Sequence, residues 1–194
     1  MNNIIGTYSG RGVNPLCPKP KDICIDDIAH ALSNICRFNG HCREFYSVAQ
    51  HCVYVAAALW NCGTDNCLCG LMHDASEAYL GDVITPIKTG TDMRMLYMLH
   101  EQRLQRVIAR KFKFTYPEPY IVHYVDKRLL YIEADSLACR VPREPIKRPV
   151  EYLHIHIALP EKIEAQPPGE AKKNFLITYY ALSALLTEGG VPCC

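Results

Sequence analysis

His73, Asp74 and Glu77 lie in the segment GLMHDASEAYLGD, residues 70–82, which otherwise reads as the apolar face of a helix. A neutral imidazole and a carboxylate are donors that suit a divalent transition ion. A second carboxylate beside them, not itself a ligand, can take a proton from ion-bound water. Helical spacing allows this division of labour. With His73 at the origin, Asp74 lies near about 100° and Glu77 comes round to about 40°, one turn further on.

Two donors do not make a tight site, so others must come from different segments. His51 has apolar helical neighbours in Val48 and Val55, which points it inward. Standing alone it would read as a hydrogen-bonded core histidine; the His-Asp pair on the next helix reverses that preference. For a fourth donor, HYVDKRLLYIEADSLAC offers two carboxylates. Asp126 sits in an apolar seam of Val122, Leu129 and Leu130, and Asp135 has Tyr131, Ile132, Ala138 and Cys139 around it. The face argument favours Asp126. Either carboxylate, if buried, needs a cation.

Helices must carry these residues. Residues 1–24, rich in Gly and Pro, read as an extended arm rather than an element. A helix is expected from Asp26, with Ile28, Ala31, Leu32 and Ile35 on one face, giving out near NICRFNGH at Gly40. Ser47 and Gln50 have capping-box spacing and open a second helix through VAQHCVYVAAALW. A third runs from Thr64 or Asp65 through HDASEAYL to Gly81. A loop with Pro86 leads to a long amphipathic helix, about Asp92 to Phe112, with Met95, Leu96, Leu104, Val107 and Ile108 inward. Its basic residues Arg103, Arg106, Arg110, Lys111 and Lys113 read as a solvated face. Another helix follows YPEPY and continues to about Cys139. Residues 141–168 form a proline-rich connection, with at most a short β-ribbon at EYLHIHIAL, and residues 169–187 a last helix. The expectation is a single all-α domain, a bundle of about six helices.

Composition narrows the function. A chain of 194 residues can bury one sizeable core, and its net charge of +1 creates no demand for a nucleic-acid polymer. No apolar run reaches the roughly 18 residues of a membrane span. The start, MNNIIGTYSGRG, lacks the basic and apolar regions of a secretory signal, so a cytoplasmic protein is expected, in the host cytoplasm if viral. The eleven cysteines contain no C-x2-C pair and read as buried or partly exposed thiols, with Cys193 and Cys194 in a tail. SGRG lacks the GK[ST] continuation of a phosphate loop. His154 and His156 would share a strand face but have no carboxylate partners nearby in sequence.

The His73-Asp74 pair, with HDASEAYLGDVITPIK around it, RFNGH ahead of YSVAQH, and VDKRLLYIEA later, resembles the HD-domain superfamily of metal-dependent phosphohydrolases. The likeness is to its 5′-deoxynucleotidase (YfbR-type) branch and to phage dATP triphosphohydrolases, and it extends from about Arg37 to Glu133. It implies His51, His73, Asp74 and Asp126 as ligands of a divalent metal ion (Zn, Co, Mn or Mg). Glu77 and Asp82 match the acids that position water and contact substrate, and Arg37 and Lys88 match phosphate-binding cations. Phe38 stands where the branch has a Trp against the deoxyribose, leaving more room for a 2′-hydroxyl. His123 stands where relatives often have Lys. The implied activity is hydrolysis of a deoxynucleotide, a dNTP such as dATP first, a dNMP as the alternative. A homo-oligomer is expected by analogy. A sensing module without turnover is the competing class, disfavoured by Glu77. Alarmone hydrolysis is disfavoured because HDASEA departs from an HDxxED helix.

Overall fold

A computed structural model describes residues 3–84, 87–88, 94–137 and 141–187. The expectations for Pro86, Asp92, Ala138, Cys139, Cys193 and Cys194 lie outside these residues. The described chain is mostly helical: α1 (Ile25–Asn34), α2 (Val48–Ala58), α3 (Thr64–Met72), α4 (Glu77–Leu80), α5 (Arg94–Phe112), α6 (Tyr120–Ser136) and α7 (Pro168–Thr187). None of these is long and apolar enough to cross a membrane.

Helix α2 is the axis of the packing and touches α1, α3, α6 and α7. Its sequence explains this, since Val48, Ala49, Cys52, Val55, Ala56 and Ala58 are all buried. Small residues let neighbouring helices approach closely. At the α2–α3 contact a Cβ on Gly70 would lie 2.7 Å from Leu59 Cδ1 and 2.9 Å from Val55 Cγ1. Ser47 caps α2, its hydroxyl accepting from the Gln50 amide at 3.2 Å. The reciprocal half of the capping box does not form. Instead the Gln50 side chain donates to Glu164 O at 2.7 Å and accepts from the Gln166 amide at 3.0 Å. That pins the proline-rich connection onto α2.

Several expectations are corrected. The N-terminal arm contains an antiparallel strand pair, β1 (Ile5–Gly6) with β2 (Gly12–Val13), in which Ile5 faces Val13. It docks because the buried Asp27 carboxylate accepts from the Thr7 and Ser9 hydroxyls, both at 2.9 Å, and from the Ser9 amide at 2.6 Å. Helix α1 ends at Asn34, before Gly40, because the chain turns to pair with the segment entering α2: Val48 N donates to Ile35 O and Arg37 N to Tyr46 O. On α5, Leu104 and Ile108 are buried and Val107 half-buried, but Met95 and Leu96 are 83% and 60% exposed. No residue from 94 to 103 is buried, so only the second half of α5 reaches the core. EYLHIHIAL forms a 3-10 turn, Val150–Tyr152, not a ribbon, and leaves His154 and His156 exposed.

The third predicted helix also breaks. α3 stops at Met72, and residues from Met72 to Tyr79 bond at the tighter three-residue spacing: Ala75 N to Met72 O, Glu77 N to Asp74 O, Tyr79 N to Ser76 O. Gln105 of α5 stabilises the break, donating to Met72 O at 2.6 Å and accepting from the Ser76 amide at 3.1 Å. With about three residues per turn, Asp74 and Glu77 line up one above the other. The offset of about 60° between them expected from an α-helix does not apply.

Candidate metal centre

His51 comes from α2, His73 and Asp74 from the break after α3, and Asp126 from α6. Donor atoms of His51, His73 and Asp74 all lie within 4.8 Å of one another, so this trio could hold a metal ion. His51 Nε2 is 3.3 Å from His73 Nε2 and 3.1 Å from Asp126 Oδ1. His73 Nε2 is 3.2 Å from Asp74 Oδ2 and 4.0 Å from Asp126 Oδ1. Asp135, the other contender, is solvent-exposed and paired with Arg143. The apolar seam around Asp126 therefore identified the inward carboxylate.

The outer nitrogens of both rings carry the test of fit. His51 Nδ1 lies 2.6 Å from the Glu133 carboxylate, and His73 Nδ1 lies 2.7 Å from the Gly70 carbonyl. Both partners are acceptors, so each Nδ1 carries a proton and each Nε2 is turned inward. Two Nε2 atoms 3.3 Å apart, beside two carboxylates, could share a cation between them. With neutral rings, two imidazoles and two carboxylates would carry −2, a charge that a divalent ion would neutralise.

Without an ion, the carboxylates favour protonation of the two rings. Burial would lower the His51 and His73 pKa values, and Arg37 would lower His51 further, but the surrounding carboxylates hold both above the ordinary value. Burial would raise Asp74, yet His73, His51 and Arg37 keep it far below the usual carboxylate range. Asp126 is likewise depressed against burial, to about 2, chiefly by its bond to His51. Glu77 behaves oppositely. Burial, then Asp74 and Asp82, push it up to about 9, which Lys88 only partly offsets. It is a carboxyl group with high proton affinity next to the cluster.

The remaining candidates occupy varied positions. Lys88 is paired to Glu77 at 3.3 Å and to Glu101 at 3.0 Å. Arg37 lies in the wall of the site, its Nη1 3.6 Å from Asp74 and its Nε 3.2 Å from Glu133. Asp82 is half-buried, and its pKa is raised by burial and then by Asp74, against Arg37 and Lys88. Phe38 is half-buried beside a small second core of Tyr46, Leu137 and Ile163, with Arg37 5.8 Å from its ring centre. His123 sits one turn before Asp126, but its ring packs 5.6 Å from Tyr120, and among the described residues no hydrogen bond or ion pair ties it to the cluster.

The sequence reading did not assign Glu133, which is fully buried and holds Tyr46, His51 and Arg37 together. A signal existed. Glu133 is seven residues beyond Asp126, two turns along the same face, inside an apolar run. Gln105 and Tyr46 had no such periodic signal.

No family model matches the chain. It is 37% identical over 137 residues to the uncharacterized protein YfdR of Escherichia coli K12, covering 70% of this chain and 72% of that protein. It is 35% identical over 144 residues to the uncharacterized protein RCAP_rcc00048 of Rhodobacter capsulatus, covering 71% and 70%. Identity at that level over most of both partners makes this chain a member of the family that includes Escherichia coli YfdR.

Proposed function

We propose that this chain is a metal-dependent phosphohydrolase of the HD-domain type acting on deoxynucleotides, with deoxynucleoside triphosphates such as dATP as the leading substrate class. One observation carries the reading: His51, His73, Asp74 and Asp126 converge from three segments, both imidazoles turned Nδ1-outward, with Glu77 adjacent. These four would hold the ion, and two imidazoles favour a transition metal. When bound, such an ion neutralises charge on phosphoryl oxygens and lowers the pKa of water.

The chain's own residues supply the rest. Glu77 takes the proton of the attacking water, a role that needs its carboxylate form, which Lys88 favours and a bound cation would favour further. Lys88 holds Glu77 in place. Arg37, oriented by Glu133, offers a planar guanidinium to the phosphate, while Phe38 on the same turn bounds the sugar. Asp82 limits where an anionic group can sit.

A second reading, a 5′-deoxynucleotidase acting on dNMPs, is favoured by one specific feature. Both cations nearest the cluster already have carboxylate partners, which leaves little uncompensated positive charge for a triphosphate chain. Chromatography of products from dATP, dAMP and ATP with Co, Mn or Zn separates these. Triphosphate release from dATP supports the first reading and phosphate release from dAMP the second. No product from any nucleotide with any metal would overturn both and leave a sensing module.

A further inference from the structure

Cys36 and Cys42 flank the turn that carries Arg37 and Phe38. Their sulfurs lie 3.6 Å apart, in van der Waals contact. The intervening sequence is RFNGH, and three successive residues adopt positive φ: Phe38 at 55°, Asn39 at 52° and Gly40 at 77°. That left-handed run reverses the chain and returns the second sulfur to the first. Few sequences hold two non-glycine residues there without other support. Support comes from both ends. Cys36 bridges to Ser47, and Arg37 N donates to Tyr46 O at 2.8 Å. On the far side Arg43 N donates to Leu137 O at 3.2 Å. Both thiols are half-buried, whereas Cys52, Cys67 and Cys69 are buried in the core.

We propose that Cys36 and Cys42 form a reversible disulfide, a modification site that covalently closes the turn bearing Arg37. The sulfurs need to approach by about 1.5 Å to reach bonding distance. The oxidant is a low-molecular-weight disulfide such as oxidised glutathione. One cysteine thiolate attacks it, its S–S bond breaks, and one small thiolate leaves. The other cysteine then attacks the mixed disulfide and expels the protein-bound half as a second thiolate. Two protein thiols lose two electrons and two protons, and the small disulfide becomes two thiols. Inside reducing compartments such pairs are transient and sense redox state. Here the bond ties down the loop whose guanidinium reaches Asp74 and Glu133, so the ring's covalent state is felt at the metal centre. Any consequence for turnover rests on the proposed hydrolase activity; the bond itself does not.

The test uses the full native chain in a series of reduced and oxidised glutathione ratios. Samples are acid-quenched, alkylated and digested for peptide mapping. The expected result is a peptide pair joined through Cys36 and Cys42, lighter by about 2 Da than its two thiols and restored by dithiothreitol. Cys52, Cys67 and Cys69 should alkylate only after unfolding. Cys42→Ser should leave glutathione on Cys36 with no ring. Separate glutathione adducts on Cys36 and Cys42 of the parent chain, or both remaining thiols where exposed Cys17 is modified, would overturn the proposal. Because mapping needs no substrate, its outcome is independent of whether the chain hydrolyses nucleotides. In active protein, ring closure should shift KM more than kcat, since Arg37 grips substrate and takes no proton.

Discussion

Replacing Glu133 by Gln should weaken metal binding without removing a ligand. Glu133 is fully buried and accepts from His51 Nδ1 at 2.6 Å and Tyr46 Oη at 2.8 Å, with Arg37 Nε at 3.2 Å. Its pKa is held below the ordinary value because Arg37, then His51 and Tyr46, outweigh burial. Gln has nearly the same shape but only one acceptor oxygen, so its NH2 must face one of three donors. The charge opposing Arg37 also disappears, leaving only the looser 3.6 Å contact to Asp74. Losing a carboxylate that orients a ligating histidine costs about 10- to 100-fold in metal affinity, roughly 1.4 to 2.8 kcal/mol. Leaving a buried donor mismatched costs about 1 to 3 kcal/mol of stability. Competition titration with Co or Zn and urea unfolding in chelator measure the two separately. Tyr46→Phe is the control, since it removes one hydrogen bond to the same carboxylate without touching His51. It should cost about 1 kcal/mol in urea and change metal affinity little. A Glu133→Gln protein with metal affinity within about twofold of the parent would refute the claim that this carboxylate sets the His51 ring.

Further outcomes follow from the same geometry. Glu77→Ala should lower turnover by about 100-fold or more, the scale of a lost proton acceptor, while metal affinity measured by titration changes little. Equal activity in mutant and parent would remove Glu77 from the mechanism. Gly70→Ala should force α3 away from Leu59 and Val55, costing about 1 to 3 kcal/mol in urea unfolding and weakening metal binding as His73 moves from His51. Metal chelation should lower the unfolding midpoint of the parent but not of an Asp126→Asn, His73→Ala double variant, as measured by thermal melts. In reducing buffer, stability should fall as pH rises above about 9. Burial pushes the Cys67 and Cys69 thiols up to about 12, so the unfolded chain loses these protons first. Each thiol contributes up to about 1.4 kcal/mol per pH unit in that window. A Cys69→Ala chain should show a shallower alkaline decline in urea midpoint.

The helices of this protein were legible where an apolar stripe and a local stop signal coincided. Ser47 announces α2 because its hydroxyl satisfies an amide three residues away, an interaction written entirely in neighbouring sequence. Met95 and Leu96 misled for the complementary reason. Periodicity shows that a helix has an apolar face, but not which turns of that face meet another element.

The chemistry divides along the same line. Residue types and spacing selected His51, His73, Asp74, Glu77 and Asp126, because buried titratable groups on helical faces need partners. The ring tautomers depend on Glu133 and on the Gly70 carbonyl, and the alignment of Asp74 with Glu77 depends on Gln105, which lies far along the chain. Local sequence sets which groups face inward. Only the packing of distant segments decides which acceptor each ring nitrogen meets, because hydrogen bonds act over about 3 Å and a chain brings distant residues that close only by folding.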